Sequence, residues 1–135
     1  MTPFCWTVRV YWEDTDAGGV VFYANYLKFL ERARTEWVRS LGYDQSDMAR
    51  ETGVLMVVRH IECDFIASAR LDDELDITVV PGDVRGARFS TTQTITRRSD
   101  DATLLTASVK IASLNAETWR PTRLPLELRD AMAAP

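Results

Sequence analysis

One histidine, His60, sets the limit on the chemistry open to this chain of 135 residues. With a single imidazole, neither an HExxH pair nor a Cys/His zinc set can be assembled within one chain. A Ser-His-Asp triad would have to use His60, and no G-x-S-x-G elbow accompanies it. G-x-G-x-x-G and P-loop patterns, which seat phosphates on glycine-rich turns, are absent as well. An enzyme of this composition works with carboxylates, backbone amides and tyrosine. Those groups concentrate in Asp14-Thr15-Asp16-Ala17-Gly18-Gly19 and the apolar run after it, Val20-Val21-Phe22-Tyr23. Taken alone, an aspartate in D-x-x-G is a turn residue. Glu31, with Arg34 three residues on, reads by itself as an i,i+3 surface pair contributing roughly 0.2–0.5 kcal/mol. His60 alternates with Val58 and Glu62 on a strand, where a lone histidine is ordinarily part-exposed.

The elements that must position these groups follow from periodicity. Residues 4–12 alternate, with Trp6, Val8, Val10 and Trp12 on one side and Cys5, Thr7, Arg9 and Tyr11 on the other, which predicts a strand. The 13–19 stretch is a turn. From about Ala24, Tyr26, Phe29, Leu30, Ala33, Trp37 and Leu41 recur at helical spacing, with Lys28, Glu31, Arg32, Arg34, Glu36 and Arg39 on much of the rest; Gly42 stops that helix. A short helix is predicted over 44–52, ended by Gly53. Four strands follow: Val54–Ser68, Leu75–Pro81, Ala87–Arg98 and Thr103–Asn115. Turns are expected at Leu71–Glu74, Pro81-Gly82-Asp83 and Ser99-Asp100-Asp101, and a terminal helix at Leu126–Ala133. Short turns between strands imply antiparallel neighbours. One long helix with a Trp-bearing stripe needs a sheet to cover, so the predicted class is α+β, a curved antiparallel sheet on a central helix. No linker or repeat divides the chain, so residues 1–135 are read as one domain. The exposed edge strands favour pairing with another copy.

Composition narrows the rest. Apolar residues make up 46% of the chain and charged residues 27%, which excludes disorder. Sixteen Lys and Arg against twenty Asp and Glu leave a net charge of -4, the wrong sign for a nucleic-acid module. Two cysteines, Cys5 and Cys63, fit free thiols in a reducing cytosol better than a disulfide framework. The segment Met1–Trp6 carries no secretory pattern and no apolar run spans a bilayer, so a cytoplasmic location is expected.

The stretch Asp14-Thr15-Asp16-Ala17-Gly18-Gly19-Val20-Val21-Phe22-Tyr23-Ala24-Asn25-Tyr26 resembles the signature of the hot-dog-fold acyl-CoA thioesterases. More narrowly it is similar to the 4-hydroxybenzoyl-CoA thioesterase family and its Tol–Pal-associated relatives. Leu30–Arg34, Phe65–Asp73 and Arg120–Pro125 extend the likeness, which runs from about residue 7 to 127. The resemblance implies a hot-dog fold and hydrolysis of an acyl-CoA thioester, without metal or cofactor; coenzyme A belongs to the substrate. It implies that Asp16 is catalytic, as nucleophile or as the base that activates water. It points to the backbone amide of Tyr23 as oxyanion donor, a kind of contact contributing roughly 3–4 kcal/mol in other enzymes. Gly18-Gly19 would let the backbone approach the substrate, with Gly19 and Val20 in contact with it. Many Tol–Pal-type members carry histidine where this chain has Tyr23, so the resemblance gives no histidine base here and leaves an aromatic acyl group open. Asp14 and Asn25 read as structural, in the loop and at the helix start.

The resemblance also assigns supporting roles. Glu31 would face the acyl pocket across a dimer and is the alternative carboxylate. Val57, Arg59 and His60, read from their strand rather than from the resemblance, are further pocket candidates. Arg120, then Arg85 and Arg88, and Arg123 are candidates for the coenzyme A phosphates, since guanidinium makes charge-assisted bonds to phosphate. The expected assembly is a homodimer or homotetramer with the substrate in a shared cleft. Two other functions compete. A hot-dog dehydratase or hydratase would need a histidine paired with an acid, and only His60, outside the usual motif, is available. A non-catalytic acyl-CoA-binding or Tol–Pal-associated scaffold would have no need of the Asp16 carboxylate.

Overall fold

The computed structural model describes residues 2–133; Met1, Ala134 and Pro135, at the two ends of the expected domain, lie outside the described residues. Strand β1 runs Phe4–Arg9, then a one-turn 3-10 helix at Trp12–Asp14, α1 at Asn25–Ser40 and α2 at Gln45–Thr52. Strands β2 (Val54–Phe65), β3 (Glu74–Arg85), β4 (Arg88–Arg97) and β5 (Thr103–Asn115) follow, and α3 (Leu126–Ala133) closes the chain. The five strands form one antiparallel sheet in the order β1-β3-β4-β5-β2. Its inner face packs on α1 through Leu75, Ile77, Val79, Phe89, Ile95, Leu105 and Val109 against Tyr26, Phe29, Leu30, Ala33 and Trp37. This is the α+β hot-dog layout that the resemblance implied.

The helix bounds follow local chemistry. Asp44 caps α2 by accepting from the Ser46 and Asp47 amides, and Gly53 ends it at φ 71°, where a side chain would be strained. Three expectations are corrected. β1 ends at Arg9, because Trp12 enters the 3-10 turn and stands 79% exposed rather than extending the apolar row. Pro81-Gly82-Asp83 is not a turn: β3 continues to Arg85 with a register shift between Pro81 and Val84, and the hairpin turns at Gly86. Pro81 is tolerated because β1 pairs with β3 only as far as Val79, so the missing N–H falls on an open edge. Third, β2 and β3 follow one another in sequence but are not neighbours; β2 pairs with β5 and forms an edge of the sheet. Among the described residues, no helix is long and apolar enough to cross a membrane.

Candidate active site

The loop from Thr15 to Tyr23 is folded on itself ahead of α1. Asp16 N–H donates to Val20 O (2.9 Å), and Gly19 N–H donates to Asp16 O (3.0 Å). The Gly18 amide donates to Asp16 Oδ1 at 2.8 Å, an Asx-type turn. One carboxylate oxygen therefore serves the turn. The other, Oδ2, has no hydrogen-bond partner among the described residues, and Asp16 is exposed. A β-carbon at Gly18 would lie 3.2 Å from Oδ1, and Gly19 sits at φ 80°, so both glycines match what the turn requires.

The loop is anchored by the residues read as structural. Asp14 is buried; its Oδ2 accepts from the Tyr11 amide (2.8 Å), and its carbonyl accepts from Phe22 N–H (3.0 Å) and Asn25 Nδ2 (2.9 Å). Asn25 is the first residue of α1, so this bond ties the helix start to the turn. Within the first turn, Asn25 N–H already donates to Phe22 O and Tyr26 N–H to Tyr23 O. The amides of Tyr23 and Ala24 have no acceptor among the described residues, as expected where a helix leaves its first N–H groups unpaired.

Asp16, Val20, Tyr23 and Tyr26 line one cleft of about 280 Å³ with Val21 and the segment Phe65–Ser68. Phe65 stands edge-on to Tyr23 (6.2 Å, 85°) and lies 5.9 Å from the Tyr26 ring. The far wall is pinned. Ile66 and Ala67 amides both donate to Leu104 O, Arg97 Nη2 donates to Ser68 O (2.8 Å), and Ala69 N–H donates to Tyr26 Oη (2.9 Å). Burial pushes the Tyr26 phenol above its ordinary value, the Ala69 bond only partly opposing it. Tyr26 and the Phe65–Ser68 wall were not singled out as site residues. Tyr26 fits the helix stripe, which hides its hydroxyl contact; the Phe65–Asp73 block carried the only signal for the wall.

The other candidates lie elsewhere. Glu31 and Val57 meet in a separate small cavity of about 30 Å³, beside Arg34, Met56 and Phe89. Arg34 is not part of a surface pair. It is buried, donating Nη1 to Gln93 Oε1 (2.9 Å) and Nη2 to Glu31 Oε2, while Gln93 Nε2 donates to Leu30 O (3.1 Å). The helical spacing could not reveal this, because the acceptor lies fifty-nine residues away on β4. Arg59 sits at a bulge in β2, between Val58 and His60. The bulge shifts the side-chain parity, so Ile61 and Cys63 continue the core-facing row while His60 stays exposed, bonded to Glu62 (3.1 Å). Neither Arg59 nor His60 lines the Asp16 cleft of the same chain.

The arginines gather around the end of β5. Arg88 pairs with Ala112, Ala87 O accepts from Ser113 N–H, and Ser113 O accepts from Thr122 N–H. Arg88, Arg120 and Arg123 have no carboxylate within 4.0 Å among the described residues, whereas Arg85 bonds Asp83. Along β5 this end is seven residues from Leu105, the partner of Phe65, roughly 23 Å away. The candidate phosphate and carboxylate groups of one chain therefore stand at opposite ends of its sheet.

A sheet wrapped on one helix is the architecture of hot-dog thioesterases, and comparison with known proteins agrees on the fold and family. The model of the thioesterase-like superfamily matches residues 10–132, and the chain belongs to this family. It is 39% identical over 128 residues to the acyl-CoA thioesterase YbgC of Haemophilus influenzae, covering 95% of this chain and 93% of that one. It is 41% identical over 124 residues to the acyl-CoA thioester hydrolase YbgC of Escherichia coli O6:H1, covering 92% and 91%. Among solved structures, a probable thioesterase from Bartonella henselae superposes with a TM-score of 0.84 at 38% identity, covering 92% of this chain and all of that one.

Proposed function

We infer that this chain is an acyl-CoA thioesterase, hydrolysing the thioester to a free acid and coenzyme A, with Asp16 as its catalytic carboxylate. Relatives bearing that activity in their names match 95% and 92% of its length. The observation that carries the assignment of Asp16 is its free Oδ2 in the same cleft as Tyr23, whose amide has no acceptor among the described residues.

Two routes use this arrangement. As nucleophile, Oδ2 bonds the thioester carbon, the C–S bond breaks, and water then hydrolyses the mixed anhydride. As base, Oδ2 takes a proton from water as the water adds to that carbon, and the departing thiolate receives the proton. In both, the negative charge that develops on the carbonyl oxygen is held by the Tyr23 amide, with the Ala24 amide beside it at the positive end of α1. Gly19 and Val20 keep the loop backbone close to the substrate.

The same reading places the substrate between two copies of the chain. β2 has an open edge, and two-fold pairing of β2 with its copy is antiparallel. Such pairing sets the Val57–His60 segment of one copy beside the Phe65 end of the other. Glu31, Val57, Arg59 and His60 would then bound the acyl group, and Arg85, Arg88, Arg120 and Arg123 would reach the coenzyme A phosphates. The working unit is a homodimer, alone or paired into a tetramer. The free Cys5 and Cys63 suit a cytoplasmic setting.

Thiol release from a panel of acyl-CoAs, from short aliphatic to hydroxybenzoyl esters, tests the reading. Release that disappears in Asp16→Asn supports it, and no release from folded wild-type protein on any ester overturns it. An acyl adduct on Asp16, trapped by acid quench and located by mass spectrometry, separates the two routes.

A further inference from the structure

The turn after β5 holds a side chain with no part in the reading above. Trp119 is 62% exposed, yet its backbone is held at φ 58°, a left-handed conformation unfavourable for a bulky residue. The turn imposes it. Trp119 N–H donates to Asn115 O (2.8 Å), and Asn115 N–H donates to Arg120 O (2.9 Å). Asn115 Oδ1 accepts from the Glu117 and Thr118 amides at 2.9 and 3.1 Å. The indole makes no aromatic pair among the described residues.

We propose that Trp119 is the platform on which the adenine ring of the coenzyme A moiety stacks. The proposal rests on the reading that the neighbouring arginines hold the coenzyme A phosphates. Adenosine 3′-phosphate 5′-diphosphate joins a flat purine to its phosphates through a single ribose. An open indole next in sequence to Arg120, whose guanidinium has no carboxylate partner among the described residues, presents complements to both parts. Stacking on an aromatic face needs an open ring; Trp119 is exposed, and the turn fixes the backbone that carries it.

The test compares one acyl group carried on coenzyme A and on N-acetylcysteamine, which lacks the nucleotide. In Trp119→Ala, KM for the coenzyme A ester rises about tenfold, within the range of one base–aromatic stack, while kcat/KM for the N-acetylcysteamine ester stays at the wild-type value. Trp119→Phe recovers most of the loss. Trp119→Gly suits φ 58°, so its thermal midpoint holds or rises while KM still increases, which separates the ring from the turn. Inhibition by adenosine 3′,5′-bisphosphate weakens in parallel. An unchanged KM in both the alanine and glycine variants overturns the proposal, as does an equal rise on both esters. Arg120→Ala, measured alongside, keeps the two readings apart. A rise there without one at Trp119 refutes stacking and leaves the phosphate reading standing; no rise in either refutes both.

Discussion

At the Phe65 end of the sheet the loops are tied to one another: Asp14 to Tyr11, Phe22 and Asn25, Tyr26 to Ala69, Arg97 to Ser68. At the Val57 end, Arg88, Arg120 and Arg123 stand without carboxylate partners among the described residues, and the β5 turn holds Trp119 open to solvent. On the proposed reading, the difference divides a long substrate between two ends of a small sheet. The hydrogen bonds that hold the cleft end suit the bond-breaking proposed there, which needs groups held still. Guanidiniums not neutralised by a carboxylate among the described residues suit the phosphate contact proposed for the other end.

The comparison is broken most directly at Asp16. Asp16→Asn should lower kcat by about 10²–10⁴, the range of a lost acid–base group, with thermal midpoint and oligomer unchanged; thiol-release kinetics beside calorimetry reads both. At the opposite end, Arg88→Ala combined with Arg120→Ala should raise KM for coenzyme A esters about tenfold with little change in kcat, and the effect should shrink as salt rises. A kcat loss there instead would mean that the two ends do not have separate tasks. Tyr26→Phe sharpens the cleft side. It leaves the Ala69 amide unpaired, so it should cost about 1–2 kcal/mol of stability and reduce kcat several-fold with KM held, measured by denaturant titration and kinetics. Gly18→Ala tests the carboxylate alone: its new β-carbon pushes on Oδ1, so kcat should fall roughly three- to tenfold without loss of stability.

The smallest effect lies at the Phe65 end but on the side of the sheet away from α1. On the outer face of the sheet, Asp76 accepts from the Thr7 hydroxyl (2.6 Å) and from Arg98 (3.0 Å). Burial alone would raise its carboxyl, but those bonds outweigh it and hold the group below its ordinary value. A depressed carboxylate contributes stability above the unfolded value, near about 4, and loses it as pH falls through the folded value. Asp76→Asn should therefore destabilise by about 1 kcal/mol or less at neutral pH. The difference from wild type should vanish in acid, with activity unchanged; unfolding midpoints across pH check it.

Much of this was legible beforehand where the chemistry is local. Thr103–Asn115 and Leu126–Ala133 fall where alternation and the terminal prolines put them, and Gly53 ends α2 as a left-handed cap. The Asp16 turn is written in D-x-x-G, although the residues alone favoured a turn and only the longer motif suggested chemistry. Pro81-Gly82 misled because proline signals a turn unless a neighbouring strand stops short, and Phe4↔Val79 is where β1 stops. Arg34 misled because its spacing to Glu31 describes a helix surface, while the acceptor that buries it is Gln93 on β4.

The sequence by itself determined most of the elements, the Asp16 turn and the family motif, because periodicity, capping and turn geometry depend on residues within a few positions of one another. The tertiary structure alone decided that β2 crosses to β5, that Tyr26 holds the cleft wall, that Arg34 is buried, and that the carboxylate and the free arginines stand at opposite ends. Each of these depends on contacts between residues far apart in the chain, where backbone hydrogen-bond pairing and the burial of charge are settled by the whole sheet rather than by local pattern.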